Sequence, residues 1–358
     1  MTCKRVSVVG AGILLVALGA LLQPGGIALA QEGGTINGAG ATFPFPLYTQ
    51  WANDYNKASG VKVNYDGIGS GGGINKIKMK AVDFGASDEP LRPADLQKEG
   101  LVQFPMIIGG VVPVVNLPGI KPNELKLSPE VLAELFLGNI KKWDDQRIKQ
   151  DNPGANLPND AVTIVHRSDP SGTTWIFTNY LSKVSKEFKD KIGNDKDVRW
   201  PAGSVGGKGN PGVAASLKQV KGGIGYVEFA YAVEGKLTTT QLNNRDGTSV
   251  EPTIKTFQAA AANANWSNAK DYYVVLTNQP GKDSWPIAGA SFILMHKDQA
   301  NAAKAAAALK FFDWCYKNGA TAAEKLNYVP LPANVIDMVH KTWEQAIKAN
   351  GQPVLRSE

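Results

Sequence analysis

Strand-like and helix-like patterning alternates along this chain. Residues 61–65 place apolar and polar side chains at alternate positions, the period of a half-buried strand. A glycine-rich stretch follows at once, and then Ile74-Asn75-Lys76-Ile77-Lys78-Met79, an amphipathic segment, so the three together predict a strand, a loop and a helix in series. Residues 82–86 and 106–115 are largely apolar, β-prone runs, the second long enough to pass from one lobe to another. Ser128-Pro129-Glu130 has cap and first-turn chemistry, and the helix it opens is expected to run through Leu135 and stop near Gly138. Residues 162–165 predict a short strand that delivers a loop at Arg167 to a segment with helical spacing over 173–181. Another strand is expected at 292–295, and residues 302–316 read as an alanine-rich helix stopped by Asn318-Gly319. With no fixed-period repeat and no low-complexity segment, the pattern is that of an α/β protein.

The N-terminus departs from this alternation. Lys4 and Arg5 precede an apolar run over residues 6–22, and Ala28-Leu29-Ala30 supplies the small-residue pattern of a signal-peptidase site, predicting an export signal cleaved after Ala30. The run is shorter than the ~20 apolar residues of a spanning helix and is interrupted by Gly10, Gly12 and Gly19, which argues against a retained anchor. Cys3 lies before the apolar run and so cannot be a lipidated cysteine; the exported chain is expected to be freely soluble.

Export changes how the cysteines read. Only Cys315 remains after cleavage, so no internal disulfide forms, and its setting in Phe311-Phe312-Asp313-Trp314-Cys315-Tyr316 predicts a buried small hydrophobe. Stability must come from the core. At 358 residues the chain exceeds the ~250–300 at which single cores stop growing, and two lobes are expected. Its formal charge of +6 falls by two when Lys4 and Arg5 are removed. The remaining basic residues are scattered or mixed with acids, as in Lys141-Lys142-Trp143-Asp144-Asp145, which makes nucleic acid an unexpected partner.

Four separated segments carry the groups needed to hold a small tetrahedral oxyanion: Gly40-Ala41-Thr42-Phe43-Pro44, Gly69-Ser70-Gly71-Gly72-Gly73, Gly85-Ala86-Ser87-Asp88 and Arg167-Ser168-Asp169-Pro170-Ser171-Gly172-Thr173. The strand, loop, helix order matters because a helix N-terminus offers free N–H groups and a partial positive charge, where a phosphate is stabilised without a metal. Glycines 69, 71, 72 and 73 let the backbone come close, although a flexible surface turn is the plain reading of that stretch alone. Ser171-Gly172-Thr173 makes the same offer again, with Arg167 to give charge-assisted bonds and Asp169 to orient it.

Asp88 sharpens the chemistry. A carboxylate beside an anion is repulsive unless it accepts a proton from a ligand oxygen, so it favours HPO₄²⁻ or H₂PO₄⁻ over sulfate. Its alternative role is a helix N-cap before Glu89-Pro90.

Other chemistries fail on the residues. Gly38-Ala39-Gly40 does not complete a dinucleotide fingerprint, and Gly207-Lys208 is followed by Gly209 where an ATPase phosphate loop needs Ser or Thr. His166, His296 and His340 are widely spaced, so neither a metal nor any other cofactor is expected. His166 could serve as a base for Ser171 in a secreted phosphatase, but beside a strand end its ring is expected to face away from Arg167, and no acid is placed to orient it.

Gly38-Ala39-Gly40-Ala41-Thr42-Phe43-Pro44, Tyr65-Asp66-Gly67-Ile68-Gly69-Ser70, Val82-Asp83-Phe84-Gly85-Ala86-Ser87-Asp88, Ile140-Lys141-Lys142-Trp143-Asp144-Asp145, residues 167–173, Gly206-Gly207-Lys208-Gly209-Asn210 and Gly222-Gly223-Ile224-Gly225-Tyr226-Val227-Glu228 closely resemble the periplasmic phosphate-binding proteins of bacterial phosphate ABC transporters, in the same order over residues 35–347. The resemblance implies a type II periplasmic binding protein, two α/β lobes joined by a hinge of crossing strands, with phosphate between them and no catalysis. Residues 31–109 and 285–358 are then expected to form one lobe and 110–284 the other. The family's phosphate contacts fall on Thr42, Phe43 (backbone N–H), Ser70, Asp88, Arg167, Ser171, Gly172 (backbone) and Thr173. Pro170 stands where the family often has glycine, which leaves the functional groups intact but stiffens the loop. Residues 206–212 are expected to be a structural loop. The implied partners are phosphate and a membrane permease, with the protein a monomer; a receptor for sulfate or molybdate and a secreted phosphatase are the competing functions.

Overall fold

The structure, a computed structural model, describes residues 1–2 and 34–355, so the predicted export signal and its cleavage site lie outside the described residues. Residues 34–355 form one compact unit. In chain order its first part runs β1 (Ile36–Gly40), α1 (Phe45–Ser59), β2 (Val63–Gly67), α2 (Ser70–Lys78), β3 (Phe84–Ser87), α3 (Pro93–Glu99), β4 (Leu101–Val115), β5 (Lys126–Leu127), α4 (Pro129–Phe136) and α5 (Gln146–Asp151). Then follow β6 (Thr163–Arg167), α6 (Gly172–Val184), α7 (Lys186–Lys191), β7 (Val205–Gly207), α8 (Gly209–Gln219), β8 (Gly223–Glu228), α9 (Phe229–Gly235), β9 (Thr238–Thr239), β10 (Gln241–Asn243), β11 (Ser249–Val250), α10 (Ile254–Ala262), β12 (Ala288–His296) and α11 (Ala302–Asn318).

The main sheet has the order β2-β1-β3-β12-β4-β8-β6-β7. Its outer thirds are parallel: β1 pairs β2 and β3, and β6 pairs β7 and β8. Between them lies an antiparallel pair. The Leu101–Gly110 stretch of β4 runs against β12, while Val111–Val115 runs against β8, so one buried strand serves both halves of the sheet. A register shift at Ser291/Phe292 in β12 marks where that strand also takes up β3.

Each half has its own aromatic core. Phe104 packs edge-on against both Phe312 and Trp343, with ring centroids 5.5 and 5.2 Å away, and Phe84 joins Phe312 at 5.0 Å. On the other side Phe177 stacks on Tyr226 at 4.3 Å and meets Phe136 at 4.7 Å. Such pairs contribute ~0.5–1.5 kcal/mol each beyond their burial. Cys315 lies inside the first core, where burial pushes its thiol well up, as its apolar neighbours in sequence lead one to expect.

Several predicted boundaries move. The strand expected at 61–65 is β2, two residues later, and the glycine-rich stretch is the first turn of α2 and not a free loop: Gly69, at φ +88°, is the N-cap and Ser70 the first helical residue. The run predicted at 106–115 begins five residues earlier, at Leu101. Ser128 caps α4 as its chemistry predicts, its hydroxyl accepting from Val131 N–H. Helix α11 does end at Asn318, but Gly319 stays right-handed and the chain re-enters a helix at Ala320–Lys325.

Candidate anion-binding site

Every sequence-predicted site residue lies at or beyond the carboxyl end of a parallel strand, and helices begin there. Thr42 and Phe43 follow β1 and lead into α1; Ser70 opens α2 after β2; Asp88 follows β3; Arg167 ends β6, and Ser171, Gly172 and Thr173 start α6. Ligands of open α/β sheets bind on this side, because the strand ends feed several helix N-termini toward one point.

Glycine makes the junction of the two halves possible. The backbone N–H of Gly172 donates to Ser70 Oγ at 3.1 Å, and a Cβ at Gly172 would lie 2.4 Å from that oxygen and 2.6 Å from Asp88 Cβ. Asp88 N–H donates to the same hydroxyl at 3.2 Å. Nearby, Gly71 N–H donates to Pro170 O at 3.1 Å. Gly69 must also lack a side chain, since its Cβ would meet Asp169 Oδ2 at 2.4 Å.

Arg167 is 4 % exposed and held as a fork: Nε donates to Asp169 Oδ1 at 2.8 Å and Nη2 to Oδ2 at 2.5 Å. Burial alone would raise the Asp169 carboxyl, but the guanidinium and the Gly209 N–H overcome it and hold the group below its usual value. Asp169 therefore orients Arg167, as expected, while Nη1 stays directed to Thr173 Oγ1 at 3.4 Å.

Asp88 is 2 % exposed. Its Oδ2 lies 3.4 Å from the Ser70 hydroxyl, while Oδ1 is buried without a hydrogen-bond partner among the described residues. Burial pushes this carboxyl up to about 7, against the lowering effect of the Ser291 hydroxyl, Arg167 and Ser70. The capping alternative is excluded, because α3 starts at Pro93 with Arg92 as its N-cap. A buried carboxyl oxygen left open beside a guanidinium and helix N-termini is suited to accept a proton from a bound oxyanion.

Residues 206–212 do more than form a structural loop. Asn210, in the first turn of α8 and fully buried, donates from Nδ2 to Thr42 Oγ1 at 2.9 Å and to Thr173 Oγ1 at 3.1 Å, and its backbone N–H donates to Thr42 Oγ1 at 3.2 Å. One amide thus links hydroxyls from both halves. Behind it, Glu228 N–H donates to Asn210 Oδ1 at 2.9 Å, and Tyr231 Oη donates to Thr42 O at 2.6 Å. Sequence reasoning missed these residues. The asparagine directly after Gly209, whose φ is +68°, was the available signal.

His166 offers no base. Its Nδ1 lies 2.8 Å from Arg167 O, its ring stacks on Trp200 at 5.6 Å, and burial lowers its affinity for a proton. Ser171 Oγ instead caps α6, accepting from Thr174 N–H at 3.1 Å. No group of three or more His, Cys, Asp or Glu able to hold a metal occurs among the described residues.

Comparison with known proteins gives concordant results. A family model described as a PBP superfamily domain matches residues 28–318. A phosphate-binding protein PstS of Xylella fastidiosa is 53 % identical over 87 % of this chain and 86 % of its own length. Its counterpart in Pasteurella multocida is 52 % identical over 90 % of this chain and 94 % of its own. Among solved structures, that of a human phosphate binding apolipoprotein shares the fold with a TM-score of 0.72 at 22 % identity, covering 90 % of this chain and 100 % of that one.

Proposed function

This chain belongs to the PBP superfamily and, within it, to the phosphate-binding proteins PstS; on that premise it is the substrate-binding protein of a phosphate ABC transporter, and we propose that Thr42, Phe43, Ser70, Asp88, Arg167, Ser171, Gly172 and Thr173 hold the phosphate. Asp88 carries this reading. Its Oδ1, without a hydrogen-bond partner among the described residues and next to Arg167, suits a ligand that brings its own proton, and phosphate at neutral pH does so whereas sulfate does not. The N-termini of α2 and α6 and the hydroxyls of Thr42, Ser70, Ser171 and Thr173 supply neutral donors, so a multiply charged anion is bound without an equal number of cations.

The course of the sheet supports dividing the chain in two. Residues 31–109 with 285–358 form one lobe and 110–284 the other, with β4 and β12 as the crossing between them. Because contacts from both lobes coexist only when the cleft is shut, phosphate captures the closed state. The chain is exported to the periplasm, cleaved after Ala30 and active as a monomer that hands phosphate to a membrane permease, without turnover. No helix of the described residues is long and apolar enough to cross a membrane.

Calorimetry of the purified mature protein against phosphate, sulfate and molybdate, with a turnover assay on a phosphomonoester, tests the reading. One phosphate bound per chain with no hydrolysis supports it. Preferential sulfate or molybdate binding, or phosphomonoester hydrolysis, overturns it. Small-angle scattering reads closure: profiles identical with and without phosphate would argue against the two-lobed mechanism.

A further inference from the structure

Behind the cleft lies a second buried carboxyl, at the end of β8. Glu228 has no solvent exposure, and neither do its neighbours Tyr328 and Phe43. The phenol oxygen of Tyr328 lies 2.7 Å from Phe43 O and 2.9 Å from Glu228 Oε2. A phenol carries one proton. It can serve only one of two such contacts, and the other must be served by a proton from its partner.

A backbone carbonyl has none to give. The Phe43 carbonyl takes no other hydrogen bond among the described residues, so the phenol proton belongs there; otherwise two lone-pair-bearing oxygens would face each other at 2.7 Å in a site closed to water. The 2.9 Å contact to Glu228 must then run the opposite way, from carboxyl to phenol. The second carboxyl oxygen agrees. Oε1 has no hydrogen-bond partner among the described residues and lies against Gly109 of β4, where an added Cβ would sit 3.3 Å from it. An unpaired oxygen is far more costly on a buried carboxylate than on a neutral acid.

We infer that Glu228 is a protonated acid that donates to Tyr328, and that it is a positioning residue: through Tyr328 it anchors the Phe43 carbonyl and so holds in place the residue whose N–H is proposed to meet the phosphate. The last clause rests on the phosphate reading given above; the protonation does not. The surroundings concur. Burial pushes the carboxyl well above its usual range, opposed by the Tyr328 phenol and the Ala230 and Phe229 N–H groups, and the facing Asp88 adds to the rise. Tyr231 is the other titratable group turned toward it, and no cation is among the groups that act on it. Ala230 N–H donates to Oε2 at 2.9 Å, which holds the acid in place without deciding its charge.

Carbon-13 NMR of wild type labelled only at glutamate carboxyls tests the protonation at pH ~8, where ordinary carboxyls near pKa 4 are ionised. One resonance at the protonated position, absent from Glu228→Gln, is expected; the label leaves Asp88 silent. If every glutamate resonance is that of a carboxylate, or if the protonated resonance persists in Glu228→Gln, the inference fails, and the wild-type spectrum decides even should a variant not fold. Phosphate titration then tests positioning. Glu228→Gln, whose amide still donates to the phenol, is expected within about threefold of wild type, while Glu228→Ala and Tyr328→Phe each lose about tenfold or more. Equal losses in the Gln and Ala variants would overturn the donor role. A wild type that ignores phosphate would sink the functional reading and leave the NMR result standing.

Discussion

Gly172 N–H and Ser70 Oγ meet at 3.1 Å, joining the first turns of two helices that are 102 residues apart in sequence. The glycine is what permits it, since any Cβ there enters the space of Ser70 Oγ and Asp88. Gly172→Ala is therefore expected to keep its fold but to hold the cleft ajar, with phosphate affinity reduced at least about a hundredfold, the loss of two or more bonds of ~1.5–3 kcal/mol each. Calorimetry with a circular-dichroism melt checks both halves of the statement; near-normal affinity would remove the close approach from the mechanism.

Arg167→Ala removes the buried guanidinium and leaves Asp169 without its fork. Charge-assisted bonds contribute ~1.5–3 kcal/mol each, so a drop of at least about a hundredfold in phosphate affinity is expected. Unchanged binding in a titration would end the assignment.

The proposed seat of selectivity is Asp88. Asp88→Asn replaces an acceptor by a group that can also donate, so phosphate binding weakens moderately while sulfate gains. Wild type is expected to reject sulfate. Competition titrations on both proteins decide the point, and sulfate competing equally poorly against each would strip Asp88 of its discriminating role.

The same carboxyl links stability to pH. Its folded-state value, up from 3.8 to about 7, means that the ligand-free folded protein binds a proton the unfolded chain has already lost between those limits. Stability therefore falls as pH rises from about 4 to about 7, by at most about 4 kcal/mol at ~1.4 kcal/mol per unit, and levels off above. Asp88→Asn lacks this term. Without phosphate, its melting temperature should exceed that of wild type at pH 8 and approach it at pH 5; a constant difference between the two proteins would contradict the raised value.

Asn210→Ala leaves the Thr42 and Thr173 hydroxyls without their shared donor and opens space at the first turn of α8. A loss of roughly 1–3 kcal/mol, about five- to hundredfold in phosphate affinity, is expected. Titration of this variant beside Asn210→Asp separates geometry from charge, since the aspartate adds a negative group next to the cleft and should be worse.

How much of this was legible beforehand depended on the range of the interactions. Ser128 before Pro129 announces a helix start because cap chemistry is local, and Asp169 two residues from Arg167 announces an orienting pair for the same reason. Ser70, Arg167, Ser171, Gly172 and Thr173 stood out as candidates because strand, glycine and helix follow one another in their segments, whereas Thr42 and Phe43 entered only through the family resemblance. Asn210, Tyr231, Glu228 and Tyr328 were not. Their roles exist only where β8, α8, α9 and the distant residue 328 converge behind Thr42 and Phe43, and no periodicity in a single segment encodes that convergence. The glycine-rich stretch at 69–73 was misjudged as a loop because glycine's low helix propensity is overridden by packing: a Cβ at Gly73 would lie 2.5 Å from Gly40 Cα, so the helix needs that glycine to sit on the sheet.

One feature of the sheet bears on when the molecule can form at all. β3 and β4 are consecutive strands, yet they do not touch; β12 lies between them and pairs with both. During synthesis the β1, β2 and β3 cluster must wait, its β3 edge unpaired, for a partner more than two hundred positions later in the chain. Closing that long loop is slow, and a nascent chain stopped before residue 288 lacks the strand that pairs with both β3 and β4. For the proposed export such a delay has a use: the strand that joins β3 to β4 comes late in the chain, which would keep the polypeptide threadable during its passage.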